Sequence, residues 1–242
     1  MPRSQSALAE LETALRESQA YGRLAETHAH RAVREDSLGV LQGRDALTSD
    51  WIGKGPQTLR ITADLGDMIA FSVEAEGRTW RGHRWVQRED GRVIREVLVE
   101  DTSVARDAPA DHPPLGELRA GTGQLDAGLR AVLPPDFEPA ARVLADKLHQ
   151  AWNGRAFNLY AADWLTALVL ALPDATFYFE RAITLGDQTA ILWRVHGHHS
   201  NGQRVRLIGS SVMGSGTDDT VLDHAAMAAQ LRRPIIDYSK AG

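Results

Sequence analysis

The 242-residue sequence contains no cysteine. Disulfides, thiolate nucleophiles, iron–sulfur clusters and cysteine-based zinc sites are therefore excluded. It has no run of about eighteen apolar residues, so no transmembrane helix is expected. Its opening, Met1-Pro2-Arg3-Ser4-Gln5-Ser6, lacks the apolar core of a secretory signal, and the expected location is the cytoplasm. It also lacks a basic excess. The net charge is -5, which argues against a general nucleic-acid or anionic-membrane binder. Nucleotide motifs are missing too. Gly121-Thr122-Gly123 has no third glycine, and there is no phosphate-binding P-loop. Gly209-Ser210-Ser211-Val212-Met213-Gly214 has the wrong glycine spacing for a nucleophile elbow.

What remains is the composition of a soluble globular chain, with 43% hydrophobic and 24% charged residues. Residues 4–20 read as an amphipathic helix, with Leu8, Leu11 and Leu15 on one stripe. Tyr21 to Asp36 reads as a second helical piece with a weak apolar stripe. Gly39, Gly43 and Asp45 then interrupt regular structure. From Leu59 the period changes to two. Ile69, Phe71, Val73 and Ala75 share a strand face, and Asp90-Gly91 signals a hairpin. In the next strand Val93, Val97 and Val99 oppose Ile94, Glu96 and Leu98. The arginines between Arg78 and Arg95, interleaved with Glu89, Asp90 and Glu96, read as a solvated strand face.

Proline and glycine crowd residues 107–135 and mark a linker. A helical stripe of Val143, Leu144, Leu148 and Trp152 follows it. The two flanks then read as one plan used twice. Leu65-Gly66-Asp67 and Leu185-Gly186-Asp187 each precede a strand, and Asp101 and Asp223 follow those turns at 34 and 36 residues. The expected boundaries are 1–110 for a first domain, 111–135 for the linker and 136–242 for a second domain.

The second flank carries Leu172-Pro173-Asp174, the strand Thr176 to Phe179, and the turn Leu185-Gly186-Asp187. It continues with Ile191 to His199, including Gly197-His198-His199, and ends with Asp223 seven residues before Gln230-Leu231. In order and spacing this stretch, Trp164 to Leu231, resembles the SnoaL-like polyketide cyclase family, within the nuclear transport factor 2-like (cystatin-like) fold. The resemblance implies an α+β protein of two tandem cone-shaped domains, each with helices packed on a bent, mostly antiparallel sheet. Each cone would hold an apolar pocket. In the family a carboxylate in that pocket removes a proton between carbonyl groups, and the enolate closes a ring. No metal or cofactor takes part.

Carried onto this sequence, the family's acid falls on Asp223. That residue also directly precedes a helix-forming run, and so reads equally as an N-cap. Asp101 is its counterpart in the first flank. The family's Gly-x-His step falls on Gly197 and His199. Trp193, Trp164, Tyr178, Trp51 and His83 are the candidate substrate contacts. In a strand His196 and His198 share one face while His199 points to the other, so these three do not make a metal site. The family's Asp-Gly turn and following acid survive only in the first flank, as Asp90-Gly91 and Glu96. The expected activity is a cofactor-free cyclase or isomerase acting on a small carbonyl compound. The alternative is a non-catalytic binding or scaffold protein. The expected partner is a small hydrophobic ligand or substrate, with no nucleic acid and no membrane. The expected assembly is a monomer acting as a pseudo-dimer, or a homodimer.

Overall fold

The computed structural model describes residues 5–37, 39–101, 130–132, 172, 174–199, 202–214, 219–223, 226, 229 and 230. Helix α1, Gln5–Glu17, places Leu15 in the core and leaves Ala14 and Glu17 outside. It stops because Gln19 turns left-handed (φ 56°). The Ala20 N–H then bonds back to Leu15 O at 2.8 Å and the Gln19 N–H to Arg16 O at 3.0 Å, capping the free carbonyls.

A short helix α2, Tyr21–Glu26, leads into strand β1, His28–Asp36. This corrects the helical reading of residues 21–36. Buried Leu24, His28 and Ala32 recur at four-residue spacing and so imitate a helical stripe. The strand forms because β1 finds partners on both sides, a tertiary gain that overrides local pattern. It pairs antiparallel with β2, Gly39–Gln42, and parallel with β6, Arg92–Glu100. The glycine-broken stretch after it is likewise regular. It forms β2 and then helix α3, Arg44–Gly53, whose Leu47 and Trp51 are buried.

Three more strands complete the first sheet: β3 Thr58–Asp64, β4 Met68–Ala75 and β5 Arg78–Glu89. The sheet order is β2-β1-β6-β5-β4-β3. Asp90 and Gly91 both have positive φ (48° and 76°), as a two-residue hairpin turn of the twist-matching kind requires. Alternation divides the sheet. Leu59, Ile69, Phe71, Val73, Trp80 and Leu98 face one side, where α1 crosses β3. Met68, Ala70, Trp85, Val97 and Val99 face the other.

The second sheet runs β11-β10-β9-β8-β7. Its strands are β7 Arg130–Val132, β8 Thr176–Leu185, β9 Gln188–His198, β10 Arg204–Met213 and β11 Asp219–Leu222. β7 lies inside residues 111–135, so the second sheet begins within the stretch read as linker. Ala190, Leu192, Ile208, Val212 and Val221 join the Met68–Val99 side of the first sheet in one apolar cluster. The two sheets therefore pack face to face. The fold is α+β with two mostly antiparallel sheets; among the described strands only β1–β6 and β7–β8 pair in parallel. The helix read around Val143 to Trp152 lies outside the described residues, as does Trp164.

Within the second sheet Gly209 is the direct partner of Trp193. A Cβ at Gly209 would overlap the indole ring. The missing side chain is what lets the ring lie flat against β10.

Candidate functional site

The helix side of the first sheet is where the resemblance places a pocket. Its centre is ionic instead. Arg84 on β5 and Glu96 on β6 are cross-strand diagonal neighbours and both point toward α1. Arg84 is bonded to Glu12 of α1, and its second terminal nitrogen lies 2.9 Å from Glu96 Oε2. Arg88 reaches Glu12 at 3.2 Å, and His28 Nε2 lies 3.2 Å from Glu96. All four central groups are sequestered: Glu12, His28, Arg84 and Glu96 are 2%, 0%, 4% and 1% exposed. This corrects the reading of a solvated arginine face at Arg84 and Arg88; Arg81, Arg92 and Arg95 are exposed as expected.

Burial alone would raise the Glu96 carboxyl. The Arg84 guanidinium and His28 beside it hold it well below the usual glutamate range. Glu12 is also held low, with burial opposed by Arg84 and Arg88. Two acids kept ionised by fixed cations are poor proton acceptors. The space left beside Glu12, Arg16, Phe71 and Leu98 is about 10 Å³, room for about one water. Glu100 lines this space and binds Lys54 at 3.4 Å. Asp101, the expected acid of this half, follows Glu100 at the end of β6, and its N–H bonds to Arg81 O at 3.3 Å. Trp51 is 2% exposed and packs edge-on against His28, with ring centroids 5.1 Å apart.

His83 points the other way, into the seam between the sheets. Its Nδ1 lies 2.9 Å from Ser210 Oγ and its Nε2 3.3 Å from Asp219 Oδ2. The Trp85 indole N–H donates to the same Ser210 oxygen at 2.8 Å. With a neutral imidazole, Trp85 donates to Ser210, Ser210 to His83 Nδ1, and the His83 Nε2–H to Asp219. Arg81 closes the chain on Asp219 at 2.7 Å. Burial would raise Asp219, but the His83 hydrogen bond and Arg81 hold its carboxyl low. Aspartate, histidine and serine stand in line here, yet Ser210 is 0% exposed and cannot meet a substrate. The line fastens two sheets together.

Trp193 faces away from the seam, on the far side of the second sheet. It lies 5.8 Å from Phe177 between ring centroids, and its N–H donates to Ser211 at 3.1 Å. Tyr178 lies on the seam side of β8, its ring 4.9 Å from that of His196. Burial, then Arg206 and Arg194, lower the His196 pKa. His199 stands in the β9–β10 connection, its N–H bonded to Gln203 O at 2.9 Å. Asp223 follows β11 and is 1% exposed. One carboxylate oxygen accepts the Ala226 N–H at 3.0 Å, the pattern of a helix N-cap, and Ala226, Ala229 and Gln230 are helical. The other oxygen accepts the Ser37 hydroxyl, from the β1–β2 turn of the first sheet.

The candidates thus occupy separate places. Trp51 is on the buried face of α3, His83 in the seam, Trp193 on the far face of the second sheet and Asp223 at a helix start. The Glu12–Arg84–Glu96–His28 cluster escaped the sequence reading. Its one signal is Glu96 standing between Ile94 and Leu98 on an otherwise apolar face. Among the described residues, no group of three or more histidine and acidic side chains is placed to hold a metal ion. No described helix is long and apolar enough to cross a membrane.

No protein-family model matches the sequence. No curated protein matches it either. Among solved structures, the chain is similar to an NTF2-like protein of unknown function from Cytophaga hutchinsonii. The identity is 10%, over 42% of this chain and 94% of that one, with a TM-score of 0.37. It is also similar to a candidate ketosteroid isomerase from Kribbella flavida, at 18% identity over 39% of this chain and 76% of that one (TM-score 0.36). A candidate polyketide cyclase from Sinorhizobium meliloti gives 20% identity, 38% and 93% coverage, and a TM-score of 0.32. The likeness concerns the fold and brings no reaction with it.

Proposed function

We propose that the chain is a non-catalytic small-molecule binding protein, built as a pseudo-dimer from two tandem halves. Residues 1–110 act as the structural partner. Residues 136–242 carry the contact to a small hydrophobic ligand. The observation that carries this reading is the state of Asp223. Both of its oxygens are engaged, one by a helix N-terminus and one by Ser37 of the other half. A general base needs a carboxylate oxygen open to the carbon acid, within about 3 Å of the proton it takes. Asp223 is committed to holding structure.

The two sides of the molecule support this division. In the first half an ionic network fills the centre. The far side of the second sheet is apolar and aromatic, with Phe177, Phe179, Trp193, Val195 and Leu207 each at most 3% exposed, so these side chains form a packed layer. Ser211 is its polar point, and both Trp193 and Thr220 donate to it. Such a layer supplies aromatic packing and holds no acid or base.

Cyclase or isomerase chemistry is the competing reading, and one experiment separates the two. Enolisable ketones and 1,3-diketones are incubated with the protein in D2O, and α-proton exchange is followed by NMR. The expected result is exchange at the buffer rate, together with retention of apolar molecules in native mass spectrometry. Exchange above buffer that disappears in Asp223→Asn would overturn the proposal and restore the enzyme.

A further inference from the structure

We propose that a cavity between the two sheets binds a small aromatic carboxylate: one six-membered ring with one carboxyl group. The cavity measures about 120 Å³. An apolar cavity of about 150 Å³ in another protein admits benzene, so a single ring is the right size of guest. Its origin is visible in the strand registers. β5 and β6 slip between Gln87 and Arg88, and β8 and β9 slip between Phe179 and Arg181. Bulges bend strands and interrupt close packing. Here a bulge in each sheet borders the same cavity.

The inner wall is apolar. Trp85 and Val97 are cross-strand partners on the first sheet, and Leu192 faces them from the second. The Trp85 N–H is already used by Ser210, so this side chain offers the cavity only its ring.

The mouth carries the charge. Arg181 is committed, donating to Val86 O at 2.8 Å and to Asp67 at 2.6 Å. Glu180 is held by Arg194. Arg95 differs. Its contact to Glu35 is 3.4 Å long, and Arg194 already grips that carboxylate at 2.6 and 2.8 Å. A guanidinium has five N–H donors in a planar fork that matches a carboxylate. Arg95 therefore presents spare donors at the mouth, with Gln87 its cross-strand partner. The surrounding charges balance: Arg95, Arg181 and Arg194 against Glu35, Asp67 and Glu180. The guest is thus held by ring packing plus one fork, an affinity on the order of millimolar.

The test uses the whole protein and 4-fluorobenzoate, followed by fluorine NMR line width, with neutral 4-fluorobenzamide as the control. Wild type should broaden the benzoate line in a saturable way. Arg95→Gln, a change at a half-exposed side chain, should weaken benzoate about tenfold, the effect of about 1.4 kcal/mol. The amide should bind both proteins equally. Leu192→Phe, which puts a ring into the cavity, should remove both signals while the melting curve stays cooperative. A wild-type line that does not broaden overturns the proposal. So does benzoate broadening that Arg95→Gln leaves unchanged, because the probe then sits elsewhere. Neither result bears on ketone exchange, so failure here leaves the binding-protein reading standing.

Discussion

The helix side of the first sheet and the far side of the second are built on similar hairpins but filled in opposite ways. In the first, Arg84 and Glu96 stand among Phe71, Val73 and Leu98, and Glu12 comes down from α1 to meet them. In the second, Phe177, Phe179, Ile191, Trp193 and Val195 cover the same kind of surface with almost no charge. Ionic groups taken out of water recover their solvation only when every partner is in place, so a charge-filled interior tolerates no guest and no missing member. An aromatic interior is less exacting, since dispersion does not depend on a fixed set of partners. A chain holding one of each can use the rigid half as a foundation and leave molecular contact to the other.

Acid should break this contrast most completely. Glu12 and Glu96 have folded pKa values below their ordinary ones, so their stabilisation is fully present above the unfolded value. It is lost as pH falls below about 4.3 and on through the depressed folded values. Chemical unfolding monitored by circular dichroism should show stability falling through this range. Glu96→Gln should start lower and depend on pH less steeply.

Removing Arg84 should come next. Arg84→Met takes the shared central cation from two buried carboxylates, leaving Arg88 beside Glu12 and His28 beside Glu96, and should cost about 3–5 kcal/mol in denaturant unfolding. Adding Glu12→Leu and Glu96→Leu should recover much of that loss, which would mark the network as exacting rather than strongly stabilising. On the aromatic side, Gly209→Ala forces a methyl against Trp193 and should cost about 1–3 kcal/mol by the same measurement. In the seam, His83→Ala leaves Ser210 and Asp219 without their common partner, a loss of about 1–3 kcal/mol. Ser37→Ala, which removes one hydrogen bond between the halves, should be the mildest at about 1 kcal/mol. A larger loss from Ser37→Ala than from Arg84→Met would reverse the assignment of the first half as the exacting one.

Much of this was legible in the residues. The two-residue period of Ile69, Phe71, Val73 and Ala75, and of Val93, Val97 and Val99, displays those strands and their faces. The Asp-Gly turn at residues 90 and 91 and the N-cap reading of Asp223 rest on local chemistry, which a sequence displays directly. The four-residue recurrence of Leu24, His28 and Ala32 misled, because nothing local announces a parallel partner some sixty residues away. Arginines on a strand look the same whether water or glutamate faces them, and only α1 lying over the sheet decides it for Arg84 and Arg88. The link from His83 to Ser210 spans 127 positions and belongs to the packing of two sheets, which neither strand encodes alone.

The glycine beneath Trp193 also bears on how the second sheet finds its pairing. Alternation of apolar and polar residues rejects a slip of one position, since that would turn every side chain to the wrong face. It does not reject a slip of two, which preserves faces. At two positions either way, Trp193 would oppose Leu207 or Ser211, and its ring would have a side chain where it now has none. Gly209 acts as a keyhole for one indole. It distinguishes the native hairpin from the misaligned ones that hydrophobic pattern alone would accept.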